Sequence, residues 1–356
     1  MVDPNSPLLR GPETPPTHLL RMRDRQYAAD MIAVALLEFD LFSWLDQRGR
    51  ASTAEICETF DIAARPTDVM LTLCRAGGLI CSRGDVNTME AVHALTSNGR
   101  EHMVASSPWF LGPYYKPIQG SPIYADHLKV LRSGRPANWQ AQSDGDDWHE
   151  SMMDPDFAKD FTAIMNCRGL SFATALADQV APQMSERRHV LDVGGGSGVY
   201  CAALVAANQQ LRGTVLEQAP VDAIARSEIE QHGLSNRIAI HSGDMFVDDW
   251  PTADVVLLSN VLHDWDLPQV RQLCQAAADT LPDGGLLIVH EAFLHDDKTG
   301  PLPVAEYSVL LANITQGKCY SVAEYAGVLD SCGFEVQAYR DTIADRGYFT
   351  AIRRPR

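Results

Sequence analysis

The sequence contains no Cys-x-x-Cys pair. Its eight cysteines (Cys57, Cys74, Cys81, Cys167, Cys201, Cys274, Cys319 and Cys332) are scattered through 356 residues. In a chain this long that argues against a disulfide framework and for reduced, intracellular thiols, so a cytoplasmic protein is expected. No apolar run approaches the roughly 18 to 20 residues that a membrane helix needs. The first 18 residues are rich in proline and carry no apolar stretch with a cleavage site, so no secretory signal is visible. Basic charge is also scarce. Lys and Arg number 29 against 46 Asp and Glu, a net charge of −17, which disfavours nucleic acid and anionic membrane surfaces as partners. What remains is a chain of 46% hydrophobic residues, enough for packed cores and long enough for two domains.

Residues 1–17 read as a flexible, Pro-rich tail. From 18 to about 105 the pattern is mainly helical. YAADMIAVALLEFDLFSWL (27–45) is apolar enough to be buried. TAEICETF (53–60) and PTDVMLTLCRAGGLI (66–80) predict two short helices, the second begun by Pro66 and ended by Gly77-Gly78. A small hairpin through 79–89 completes the order of a winged helix. Residues 1–105 hold ten Arg, no Lys and fourteen acidic residues, the wrong sign for a DNA footprint, so a dimerisation module is expected. Residues 106–180 read as connecting helices and loops, ending in a helix over 154–180. From 181 to 356 strands alternate with helices. HVLDV (189–193), GTVLEQ (213–218), RIAIHSG (237–243), ADVVLLSN (253–260) and GGLLIVHEAF (284–293) predict strands with helical segments between them. FEVQAYRDT (334–342) and YFTAIRR (348–354) predict an antiparallel hairpin at the sheet edge. The fold class is α/β, a doubly wound Rossmann-like sheet behind a mostly helical N-terminal domain.

The first strand runs into LDVGGGSG. In such sheets the ligand lies beyond the C-terminal strand ends, and glycine lets the backbone come close to it. The dinucleotide spacing Gly-x-Gly-x-x-Gly fails because Val199 and Cys201 stand where its last glycine would be. Gly194, Gly196 and Gly198 fit Gly-x-Gly-x-Gly instead, which suits S-adenosylmethionine (SAM), a cofactor without a pyrophosphate. Glu217, at the next strand end, is placed for the ribose hydroxyls. Asp244 could accept from the adenine amino group, with Met245 and Phe246 beside the ring.

The fourth strand enters LLSNVLHDWD (257–266). With VLDVGGGSG, GDMF, GGLLIVHE and SVAEYAGVLDSCGF, the chain resembles, over nearly its whole length, the plant caffeic-acid-type O-methyltransferases and their bacterial natural-product relatives. The resemblance implies a class I SAM-dependent O-methyltransferase acting on a small aromatic hydroxyl, and a homodimer paired through the N-terminal region. It gives His263 the role of general base and Glu291 that of acceptor for the imidazole N–H. The family's second Glu falls in a Gly-Lys-Glu-Arg-Ser/Thr motif, and here Cys319 replaces it, within Gly317-Lys318-Cys319-Tyr320-Ser321. A family Lys that contacts the cofactor corresponds to Ser259. Asp264 is expected to face the cofactor or to cap the next helix.

The resemblance also places Phe161 and Met165, four apart on one helical face, in the acceptor pocket. Arg168 takes the position of a family His and could meet a carboxylate or phenolate. Trp148, His149, Met152, Tyr307, Leu311 and Asn313 are further pocket candidates. No metal is expected, because His263, Asp264, His290 and His295 have no tight ligand spacing and strand alternation turns His290 away from Glu291. Alternative functions are C- or N-methylation, a SAM-retaining rearrangement or hydroxylation, and a non-enzymatic winged-helix regulator.

Overall fold

The computed structural model describes residues 6–137 and 151–355. Candidates Trp148 and His149 therefore lie outside the described residues. The chain divides into two compact units, one made of residues 1–17, 148–292 and 325–356, the other of 18–147 and 293–324.

The first unit is built on a mixed sheet. Its strands are β4 (His189–Val193), β5 (Arg212–Glu217), β6 (Ile238–Ser242), β7 (Val255–Ser259), β8 (Leu286–Glu291), β9 (Phe334–Val336), β10 (Arg340–Asp341) and β11 (Gly347–Arg353). The order is β10-β11-β8-β7-β4-β5-β6, with β9 also on β11. β4 through β8 run parallel and β11 is antiparallel to β8. The first five strands form because runs such as VVLLS and LLIVHE are apolar on both faces, and every residue of β7 and β8 is buried. Successive strands step outward from β4 through β5 to β6, and the chain then returns to β7 on the other side of β4. That reversal opens a crevice at the C-terminal ends of β4 and β7, where open α/β sheets bind ligands.

The structure changes some expectations. No helix lies between β6 and β7, which are joined by a loop over 243–254 that carries Asp244, Met245 and Phe246. The expected strand 334–342 is split into β9 and β10. The tail is not wholly free, since Leu8 is 1% exposed and the Thr174 hydroxyl donates to the Pro7 carbonyl at 3.0 Å. The boundary expected at 181 also moves. The helix Pro155–Met184 packs along Val199–Ala207 and Val221–Gln231 and so belongs with the sheet.

The second unit contains β1 (Ala51–Ser52), β2 (Ile80–Arg83) and β3 (Val92–Leu95), an antiparallel sheet in the order β1-β3-β2. The return strand is β3, several residues beyond the hairpin expected at 79–89. Thr53–Phe60 is started by a capping box between Ser52 and Glu55. Ala64–Ala76 ends at Gly77. The helix Leu302–Ile314, buried on almost every side, packs on Ala64–Ala76 and on Ala28–Ala33. The apolar run 31–45 is itself buried, with Met31, Val34, Leu41, Phe42 and Leu45 all inaccessible. Among the described residues, no helix is long and apolar enough to cross a membrane.

Candidate active site

Gly194, Gly196 and Gly198 have φ of +60°, +55° and +77°, the left-handed region that only glycine enters freely. A β-carbon on Gly196 would meet nothing within 4 Å, so a ligand can approach the backbone there. Gly195, which the spacing argument passed over, is the most crowded of the four. A β-carbon there would lie 2.8 Å from the carboxyl carbon of Asp192 and 2.9 Å from Val215. Asp192 is buried and accepts the Cys201 N–H at 3.1 Å, tying β4 to the helix Val199–Ala207. Burial raises its carboxyl to about 7, helped by the Glu217 charge. A buried acidic residue inside an apolar strand was the available signal for this position.

Glu217 closes the turn from the next strand. Its Oε2 accepts the Gly196 N–H and its Oε1 the Gln218 N–H, both at 2.9 Å. Burial raises this carboxyl too, to about 7, against the pull of those two bonds. The β6–β7 loop meets the same turn, for a β-carbon on Gly194 would sit 3.5 Å from Met245 Sδ. Asp244 Oδ1 accepts the Phe246 N–H at 2.8 Å, and the Phe246 ring packs edge-on against Trp265 at 4.5 Å. These residues fit SAM. Open space over Gly196, a carboxylate at the end of β5 and a thioether with aromatic rings beyond β6 match its aminoacyl, ribose and adenine parts.

His263 lies just past β7 in the 3₁₀ turn Leu262–Asp264 and is 2% exposed. Burial holds its imidazole well below the usual histidine range, and the Arg168, Arg346 and His290 charges push the same way. Glu291, at the end of β8, is fully buried. It accepts the backbone N–H of His263 at 3.1 Å and the Tyr325 hydroxyl at 2.6 Å. Its visible role is thus to fix the turn that carries His263. Burial lifts its carboxyl to about 7, against hydrogen bonds from Tyr325 and from the His263, Leu262 and Val261 N–H groups. Asp264 Oδ1 lies 3.7 Å from His263 Nε2, and the cap of the next helix is Asp266, which accepts the Gln269 N–H at 3.2 Å. His290 points to the other face, as alternation requires. Its Nδ1 is 3.0 Å from Ser259 Oγ and its Nε2 3.2 Å from Thr342 Oγ1.

The geometry is that of a cofactor crevice with a neutral imidazole at its edge. A family model described as an O-methyltransferase domain matches residues 125–335. The 3-hydroxy-5-methyl-1-naphthoate 3-O-methyltransferase of Streptomyces sahachiroi is 31% identical over 84% of both chains. The chain belongs to the O-methyltransferase family. It is a SAM-dependent methyltransferase. The L-tyrosine C(3)-methyltransferase of Streptomyces lavendulae is 26% identical over 86% of this chain and 83% of that protein. A family 2 O-methyltransferase from Planctomyces limnophilus, crystallised with apigenin, superposes with a TM-score of 0.83 at 30% identity, covering 97% of this chain and 98% of that one.

The acceptor-side candidates of this methyltransferase divide between the units. Phe161 stacks on Phe157 and packs against the cluster of Met152, Ala158 and Val221. Met165 Sδ lies 3.1 Å from Arg168 Nη2. Tyr307, Leu311, Asn313 and Cys319 belong to the second unit and are buried there. Asn313 Nδ2 donates to His127 Nδ1 at 2.8 Å, and the Cys319 N–H donates to Ser308 Oγ at 3.0 Å. The sequence reading missed Asp192, Gly195, Tyr200, Asn260, Tyr325 and Arg346.

Proposed function

We propose that this methyltransferase acts on the hydroxyl of a small aromatic molecule with His263 as general base. The observation that carries the reading is the buried, neutral imidazole held on a turn fixed by Glu291. When bound, the cofactor supplies an electrophilic methyl group on sulfonium. Glu217 holds its ribose, Asp244 and Met245 its adenine. His263 takes the phenolic proton as the oxygen attacks, and burial of the site keeps the imidazole neutral and ready to accept it. The naphthoate O-methyltransferase relative supports a fused or carboxylated phenol as acceptor.

A second reading is methylation of ring carbon. It is favoured by the tyrosine C(3)-methyltransferase relative and by Cys319 in place of a carboxylate. Incubation with SAM bearing a ¹³C-methyl group and a panel of phenols separates the two, because O–CH₃ and C–CH₃ carbons resonate far apart. An O-methyl ether is expected. Exclusive C-methyl product overturns the first reading, and no transfer to any phenol removes both.

The Glu217 assignment has its own consequence. Two ribose hydroxyls donate more strongly to both oxygens of a carboxylate than to a carboxylic acid, which keeps only part of that acceptor capacity, so binding favours the ionised form of a group raised to about 7. SAM affinity should therefore rise between about pH 6 and pH 8, with proton release that calorimetry in two buffers of different ionisation heat measures. Glu217→Gln should abolish the pH dependence. Affinity that is flat with pH in the wild type rules the contact out.

The reading includes a homodimer in the cytoplasm. The apolar run 31–45 is buried inside one chain and so gives no reason for pairing. The exposed apolar side chains of Leu19, Met22, Trp109 and Tyr114 in the same unit support it. Light scattering at twice the chain mass is the expected result.

A further inference from the structure

Asn260 follows β7 directly, between Ser259 and the turn of His263. It is a non-glycine residue at φ +54°, a conformation that recurs at functional sites because something must maintain it. Its N–H donates to the His290 carbonyl at 2.9 Å, which locks the backbone. Its Nδ2 donates to Tyr200 Oη at 3.0 Å and to Ser259 Oγ at 3.2 Å. The orientation of the carboxamide follows from the network. Burial keeps His290 neutral, and we assign it the tautomer that gives Nε2–H to Thr342 and leaves Nδ1 to accept from Ser259 Oγ. Ser259 then has only lone pairs for Asn260, which must present its NH₂ group there. The other end, Oδ1, is shielded from water and has no hydrogen-bond partner among the described residues. An acceptor left so is costly, and native structures seldom tolerate one unless a ligand completes it.

The sheet order says which ligand group that is. β7 and β6 lie on opposite sides of β4. The adenine and ribose contacts, Asp244 and Glu217, follow β6 and end β5, so the cofactor's aminoacyl end falls toward β4 and β7. Val261, next to Asn260, approaches within 3.3 Å of a β-carbon placed on Gly194. The N–H donor at that end of SAM is its α-ammonium. We infer that Asn260 Oδ1 accepts from the α-ammonium of the cofactor, through a carboxamide oriented by Tyr200 and Ser259. The inference rests on the cofactor reading and adds Asn260 as a cofactor-binding residue.

The test compares two probes by calorimetry, without turnover. S-adenosylhomocysteine carries the ammonium, whereas 5′-methylthioadenosine has the same nucleoside and no amino-acid tail. Asn260→Gly removes the side chain and accepts φ +54° without strain. It should weaken S-adenosylhomocysteine about ten- to a hundredfold and leave 5′-methylthioadenosine unchanged. Asn260→Asp loses the donors to Tyr200 and Ser259 but makes the acceptor anionic, so it should favour S-adenosylhomocysteine over 5′-methylthioadenosine at least as strongly as the wild type, which also guards against misfolding of the glycine variant. Equal losses for both probes, or no loss for either, overturn the inference. A wild-type protein that binds neither probe sinks the cofactor reading itself.

Discussion

His263→Ala is expected to lower turnover on a neutral phenol by about two to four orders of magnitude while SAM still binds. The loss should be this large because, among the described residues, neither carboxyl group beside His263 is placed to take the proton. Asp264 is 3.7 Å from Nε2, and burial together with the Glu291 charge raises its carboxyl well above the usual range. Glu291 is committed to Tyr325 and to the backbone of the turn. A phenol that titrates near 10 transfers its proton uphill to such an imidazole, so removal must accompany methyl transfer instead of preceding it. Two further results follow. The alanine variant should recover on acceptors that are already ionised, since no proton remains to be moved. At saturating SAM, any fall in kcat from about pH 8 down to pH 6 should report protonation of Glu291, whose carboxyl is raised to about 7, and not of His263, which burial holds well below the usual histidine range. Near-normal turnover of His263→Ala on a neutral phenol would remove the general-base role, and carbon methylation would then lead.

The strand ends were legible in the sequence because each announces itself by a sharp change from a buried apolar run to small or acidic residues. LDVGGGSG, VLEQ and HSGDMF all do so, and the three glycines of the Gly-x-Gly-x-Gly spacing, Gly194, Gly196 and Gly198, adopt positive φ. Gly195 and Asp192 escaped because their constraint is mutual. Neither residue alone shows that a β-carbon on one would strike the carboxyl of the other. Glu291 was found, but its partner was read one bond too far along. A residue's backbone N–H leaves no trace in sequence spacing, and that N–H is what Glu291 holds. The division of the chain was illegible for a similar reason. Segment 293–324 interrupts the sheet in sequence between β8 and β9, yet its helix Leu302–Ile314 is mostly apolar and must be enclosed, and only the fold shows that helices from the N-terminal half enclose it.

The same segment holds the interaction whose removal should do the most damage. Lys318 Nζ lies 2.7 Å from both Asp68 Oδ2 and Glu324 Oε1, and Lys298 Nζ lies 2.9 Å from Asp68 and 3.3 Å from Glu324. Two cations and two anions balance in a largely buried cluster, with the Lys298 side chain 1% exposed and that of Asp68 19%. Burial alone would raise Asp68, but Lys318 and Lys298 hold its carboxyl far below the carboxylate range. A depressed acid stabilises the fold above its unfolded pKa of about 3.9, and that stability is lost as pH falls through the folded value. Asp68→Asn leaves two lysines facing one carboxylate. Breaking a buried pair in this way costs about 3–5 kcal/mol, so the melting temperature should fall on the order of 10 °C. Asp68→Leu combined with Lys318→Met leaves the Lys298–Glu324 pair neutral and should recover most of the loss, since apolar replacement of both partners avoids a stranded charge. A melting temperature for Asp68→Asn close to the wild type shows instead that water reaches the cluster and screens it. The cluster also accounts for how the Gly-Lys-Cys segment departs from the family motif. Arg65 donates to the Gly317 carbonyl at 2.7 Å and Lys318 enters the cluster, so the two retained residues anchor the segment on the helix Ala64–Ala76. Cys319 lies between these anchors and Tyr320, a position where the side chain can change while the backbone stays fixed.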